Sequence, residues 1–265
     1  MKHILVPVGT NGNALNTLQY AIDFAEAVDA KIFLIHVYST PNVGGSLVNV
    51  DQIMERESRE ILKAHISNVN TKNVEIVTST LKGHSVLDTL KQLNRLLKID
   101  LIIASTKNDA ADETIFIGKI TGNIIKDTKV PVLIIPSGVK FKPIKKILMT
   151  IKSGSITSVS TLDLLVKIQK TFQSKINLLQ VKTPKLDAKD LELNETLKGL
   201  IDKHIPTTNA TVYQGVLQFL NEEDPDMLCV IRRKRGFFKK LWENDSVKKI
   251  DFDSNIPLLV LKGMP

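Results

Sequence analysis

Short apolar runs alternate with amphipathic stretches along the whole chain. HILVPV (3–8), KIFLIHV (31–37), VEIVTST (74–80), DLIIAS (100–105) and VPVLIIP (130–136) are rich in Val and Ile, and most are apolar throughout. A strand covered on both faces reads this way, as in a parallel sheet flanked by helices. Between the runs, ALNTLQYAIDFAEAV places Leu15, Leu18, Ala21, Ile22 and Ala25 on one helical stripe. QIMERESREILKAHISNV sets Ile53, Ile61, Leu62 and Ile66 against a charged face. SVLDTLKQLNRLL opens on Ser85 as an N-cap, with Asp88 three residues later, and GKITGNIIKD supplies a final helix. Strands alternating with helices predict β-α-β units with right-handed crossovers.

The pattern then repeats. IKKILMTI (144–151) answers MKHILVPV, and SVSTLDLLVKIQKTF follows it as a helix. KINLLQV (175–181), NATVYQG (209–215), DMLCVIRR (226–233) and NIPLLVLKG (255–263) answer the remaining strands in the same order. A unit of half the chain is far longer than a solenoid repeat of roughly 20–50 residues, so the repeat is a domain duplication. The polar segment SGVKFKP (137–143) marks the boundary, giving domains at 1–139 and 143–265. So short a connection predicts halves packed together. The second copy has drifted more, with shorter regions at 185–204 and 216–225 in place of its second and third helices.

Composition narrows the function. The 265 residues contain one cysteine, Cys229, which excludes a disulfide framework or a Cys-based zinc site within one chain. His3, His36, His65, His84 and His204 lack metal-ligand spacing, so no metal site is expected. No apolar run approaches the roughly 20 residues of a membrane span, and the N-terminus lacks a signal-peptide pattern. These features predict a cytoplasmic protein with no membrane role. Residues 1–142 carry 16 Lys and Arg against 14 Asp and Glu, while residues 143–265 carry 20 against 14. Much of that excess sits in RRKRGFFKK, Arg232 to Lys240, with Phe237, Phe238 and Trp242 interleaved or close by. Such a stretch can bind single-stranded nucleic acid. The commoner arrangement exposes the charges and packs the aromatics, and nucleic acid is not the expected partner.

KHILVPV…ALNTLQYAIDFAEAVDAKIFLIHVYSTP and DLIIAST…GKITGNIIKDTKVPVLIIP resemble the universal stress protein family, and IRRKRGFFKKLWENDSVKKI…SNIPLLVLKG is similar to the C-terminal half of its tandem members. The resemblance implies an α/β fold of two tandem doubly wound five-stranded parallel-sheet domains, each in the order 3-2-1-4-5. It also implies a pseudo-twofold pairing through the last strands, an intramolecular pseudo-dimer, with a homodimer as the alternative. Some members of the family bind ATP or AMP and others do not.

The resemblance implies three ligand-contacting places: an aspartate after strand one, a valine ending strand two, and a G-x2-G-x9-G-S/T loop after strand four. In the first half Gly9 replaces the aspartate, followed by Thr10 and Asn11, and Val37 matches the valine. Ala104 and Lys107 stand for loop glycines, Gly118 matches the glycine that opens the last helix, and Lys119 replaces the hydroxyl residue. In the second half Lys152 replaces the aspartate, Val181 matches the valine, the loop begins at Ile231, and only Ser246 keeps its hydroxyl. Asp109, Asp112 and Glu113 add repulsion toward a phosphate unless Mg²⁺ intervenes.

No Ser-His-Asp, P-loop or GxGxxG pattern is present, so no catalytic residues are assigned. The expectation is a non-catalytic stress-response binding or scaffold module with degenerate nucleotide sites, no cofactor, and an unidentified protein partner. The alternative is an ATP or AMP sensor, with or without Mg²⁺, using the first half through Gly9, Thr10, Val37, Ala104, Lys107, Gly118 and Lys119. A phosphoanhydride hydrolase is the third reading, lacking a recognisable base or nucleophile.

Overall fold

The structure, a computed structural model, describes residues 1–10, 12–40, 50–83, 85–106, 115–156, 158–182, 191–209, 212–232, 247–248 and 254–263. In the first half come β1 (His3–Pro7), α1 (Ala14–Ala27), β2 (Lys31–Tyr38), α2 (Val50–Ser67), β3 (Ile76–Lys82) and α3 (Val86–Leu97). They are followed by β4 (Leu101–Ser105), β5 (Ile115–Ile117), α4 (Lys119–Asp127) and β6 (Val132–Ile135). The second half holds β7 (Lys146–Ile151), a 3-10 turn (Val159–Leu162), α5 (Asp163–Phe172), β8 (Lys175–Lys182), α6 (Glu195–Lys198) and β9 (Lys203–Thr208). It ends with α7 (Val212–Glu223), β10 (Met227–Arg232), β11 (Val247–Lys248) and β12 (Leu258–Lys262).

Ten strands form one sheet in the order β3-β2-β1-β4-β6-β12-β10-β7-β8-β9. Within each half the neighbours run parallel, as the apolar runs require. Leaving aside the short β5 and β11, both halves follow the order 3-2-1-4-5. They meet where β6 and β12 pair antiparallel, with Leu133 opposite Leu259 and Val132 opposite Val260. The small strands β5 and β11 also pair antiparallel across the two halves.

Successive strand residues feed opposite layers. Ile4 and Val6 enter the core beneath α1, α2 and α5, whereas Leu5 enters the core beneath α3, α4 and α7. Both layers run continuously across the junction. On the first face Phe141, in the connection between halves, stands edge-on to Tyr20 and Phe24 and 6.0 Å from Phe172. The two first helices therefore share one aromatic cluster, and the connection is packed as the short linker predicts.

Two expectations are corrected. The outer strand of the second half is β9, residues 203–208, and not 209–215, whose end already belongs to α7. Thr211, Val212 and Tyr213 have strand propensity, but Pro206 is tolerated in β9 because that strand is at the sheet's edge. Over 185–204, the described part holds a single turn of helix, α6, and then β9.

Candidate functional site

The carboxyl ends of β1 and β4 frame the crevice where open α/β sheets bind ligands. In the first half Gly9 and Thr10 follow β1 at this edge, with Thr10 exposed. A Cβ added at Gly9 meets no described atom within 4 Å. Ala104 lies inside β4, buried and opposite Ile134 of β6. Val37 is half-buried in β2. Gly118 is the N-cap of α4, buried and extended at φ −72° and ψ 166°, a conformation open to any residue. Lys119 is exposed on the first turn. The hydroxyl of Thr121 donates to Ser105 O at 2.9 Å and pins that turn to the end of β4. Gly9, Thr10, Ala104 and Gly118 thus share the carboxyl edge. Lys107, Asn11, Asp109, Asp112, Glu113 and Ser246 lie outside the described residues, as does the basic stretch beyond Arg232.

The sequence reading missed Asn13 and Thr17. Asn13 stands at the N-cap position of α1 without a side-chain cap bond and is 1% exposed; its amide donates to Ile135 O at 3.4 Å, which also accepts from Thr106 N–H. The Asn13 Oδ1 and Thr17 Oγ1 atoms are buried and find no hydrogen-bond partner among the described residues. Buried polar atoms are nearly always satisfied, so two orphans one helical turn apart are notable. Their signal was legible: two polar residues spaced i, i+4 on the face of α1 that otherwise carries Leu18 and Ala21.

In the second half the chain's own backbone packs against the turn after β7. Gly154 follows β7, and a Cβ there would collide with the backbone carbonyl of Glu192 and lie 2.9 Å from Leu193 Cα. Asn194 N–H donates to Gly154 O at 3.1 Å. The buried Gln180 amide holds Leu191 O at 3.1 Å, fixing the same segment over β8. Val181, the counterpart of Val37, is fully buried, and a Cβ on Gly215 of α7 would sit 3.1 Å from its methyl. Lys152 is half-buried and Ile231 buried at this edge.

Other reactive groups have structural surroundings. Cys229 is fully buried, and burial pushes its thiol pKa upward, away from the nucleophilic thiolate. His36 Nδ1 lies 2.7 Å from the hydroxyl of Ser58, which is only 1% exposed. Burial, aided by the charge of His65, holds the His36 pKa below the ordinary value. Arg232, read as the first residue of an exposed basic stretch, is instead half-buried against the first half. Its guanidinium donates to Ile125 O at 2.6 Å and Thr128 O at 3.1 Å, capping the C-terminal end of α4. Burial lowers its pKa while Asp127 opposes that shift. Among the described residues no helix is long and apolar enough to cross a membrane.

Comparison with known proteins follows the same division. The model of the universal stress protein family matches residues 1–136. A universal stress protein of Methanocaldococcus jannaschii is 27% identical over 139 residues, covering 51% of this chain and 81% of the relative. Among solved structures, a universal stress protein from Archaeoglobus fulgidus superposes with a TM-score of 0.70 at 15% identity, covering 98% of this chain and 96% of its own. A protein of unknown function from Pseudomonas aeruginosa gives 0.61 at 13% identity, covering 99% of this chain and 93% of its own. These two share the fold over both halves. With a family match that spans half the chain, and the fold and carboxyl-edge crevice in place, the chain belongs to the universal stress protein family.

Proposed function

We propose that this is a tandem universal stress protein whose second half, 143–265, is a diverged copy of the first, 1–139. It acts in the cytoplasm as a non-catalytic binding or scaffold module of the stress response, with degenerate nucleotide sites and a protein partner. The observation that carries this reading is the filled crevice of the second half, where Glu192 meets Gly154 and α7 covers Val181. A ligand there would have to displace packed backbone. In the first half, Ala104 and the absence of the strand-one carboxylate support the same reading. Calorimetric titration with ATP and AMP, with and without Mg²⁺, tests it. No saturable binding at micromolar concentration is expected. A micromolar Kd abolished by Lys119→Glu overturns it.

A second reading, an ATP or AMP sensor confined to the first half, draws on one observation. Asn13 Oδ1 and Thr17 Oγ1, at the start of α1, find no hydrogen-bond partner among the described residues. Under this reading Asn13→Ala and Thr17→Val lower nucleotide affinity. Under the scaffold reading neither substitution changes a titration that is already flat.

A further inference from the structure

The two outer edges of the ten-stranded sheet are built differently. In the β2–β3 ladder, Ile32 N–H bonds to Glu75 O and Gly83 N–H bonds to Tyr38 O. Parallel pairing alternates inward and outward groups. The backbone groups of Ile76, Thr78, Thr80 and Lys82 therefore face away from β2, along an edge that no described strand covers. At the other end of the sheet, Asn209 N–H bonds to Lys182 O, which turns residue 206 outward by the same alternation. That residue is Pro206, with no N–H to offer. Proline at an outward position is a common guard against edge-to-edge pairing. Tyr38 opposite Lys82 and Lys182 opposite Thr208 align the two ladders, so Pro206 corresponds to Thr80. The β3 edge lacks the guard. It is seven residues long, rich in β-branched residues, and leaves Val77 39% exposed.

Beside this edge runs a cleft of 660 Å³, with Glu55, Arg59 and Lys63 of α2 on one side and Thr78, Ser79 and Thr80 on the other. Lys82 Nζ lies 2.9 Å from Asp51 Oδ1, which sets the start of α2 beside the end of β3. Helix and strand therefore run antiparallel.

We propose that the β3 edge is a docking edge for a second copy of this chain, joining two ten-stranded sheets through antiparallel β3–β3 pairing. A twofold axis at Ser79 sets Thr78 opposite Thr80 and Ile76 opposite Lys82. All four are outward-facing, so each opposed pair exchanges two N–H···O bonds. The small Ser79 faces its own copy at the close, non-bonded position. The same axis lays the two α2 helices antiparallel on one face, so the acidic first turns of one, Asp51 and Glu55, lie toward the basic later turns of the other, Arg59 and Lys63, while within each chain Glu55 pairs with Arg59. This self-complementary charge order is what selects a second copy as the occupant.

Sedimentation equilibrium of the full chain over a concentration series tests the proposal. The parent is expected to dimerise, and Thr80→Pro to be monomeric with an unchanged circular dichroism spectrum, since the lost N–H is not part of the β2 ladder. Glu55→Lys is expected to raise the dimer Kd at least tenfold, and Glu55→Lys with Lys63→Glu to restore it. If Thr80→Pro fails to fold, the charge-swap series decides. A monomeric parent overturns the proposal and leaves the edge to a strand from a different protein. A dimer that survives in folded Thr80→Pro, or that ignores the charge swaps, also overturns it.

Discussion

Asp100 and Asp226 occupy the same place in the two halves, each carboxylate gripping the start of the neighbouring central strand. Asp100 accepts the N–H groups of Lys2 at 2.7 Å and His3 at 3.1 Å; Asp226 accepts those of Lys145 and Lys146, both at 2.8 Å. Each returns its own N–H to that strand, Asp100 to His3 O and Asp226 to Lys146 O. The two halves thus match at the level of single hydrogen bonds, even where the apolar residues around them differ.

These clamps have a pH signature. Burial opposes the charge of Asp226, but the ammonium of Lys142 at 2.7 Å and the two N–H donors outweigh it, so its pKa lies below the ordinary value. A depressed carboxyl stabilises the fold fully above its unfolded pKa, about 3.9, and loses that contribution as pH falls toward the lower folded value. Asp226→Ala is expected to cost on the order of 2 kcal/mol near neutral pH, as removal of charged hydrogen bonds does. Urea unfolding at neutral pH and below pH 4 checks this, and the gap between parent and variant should narrow in acid.

Left-handed residues also recur in register. Asp29 and Gln173 follow α1 and α5 with φ of 50° and 53°, and Lys98 and Asp224 follow α3 and α7 with φ of 49° and 42°. Side chains are strained in this region and glycine is not. Gln173 is exposed, so Gln173→Gly removes the strain without opening the core. It is expected to stabilise by roughly 0.5 kcal/mol or more, and Lys98→Gly by a similar amount. Thermal unfolding of the two variants, singly and together, gives the test, with additive upward shifts in Tm as the outcome.

Arg232 offers a different test, because it crosses between halves. Arg232→Ala leaves the carbonyls of Ile125 and Thr128 without their donor and is expected to destabilise by about 1–2 kcal/mol. Arg232→Lys should recover only part of this, since an ammonium lacks the planar fork that reaches both oxygens. Hydrogen exchange should show the last turn of α4 opening faster in both variants, more so in the alanine form.

The architecture was legible because its main signal, doubly buried strands between amphipathic helices, is printed in runs such as DLIIAS and VPVLIIP. The second run of the same strand pattern was legible for the same reason. The reading failed where local propensity and tertiary position disagree. The Thr-Val-Tyr sequence at 211–213 favours a strand, yet Val212 begins α7, while β9 contains Pro206, Lys203 and His204 and reads as a loop. Nothing in the one-dimensional pattern says that a strand will be outermost. Candidate site residues on the β1 and β4 ends were assigned through the family resemblance, by matching its motif positions along the chain. Asn13 and Thr17 were passed over because polar residues at a helix start read as ordinary caps. Arg232 was misread because its partners are more than a hundred residues away and are backbone carbonyls, which carry no sequence signal.

The antiparallel seam between β6 and β12 has a consequence for synthesis. The ribosome finishes residues 132–135 long before it reaches 258–262, so at ordinary elongation rates the first half waits on the order of ten seconds with a naked apolar edge. Val132, Leu133 and Ile134 are the residues left uncovered, and any nascent neighbour on the same message presents an identical strand. Polysome crowding therefore sets a race between the chain's own final strand and a stranger's copy of β6, and the winner determines whether the product is a closed monomeric seam or a swapped tangle.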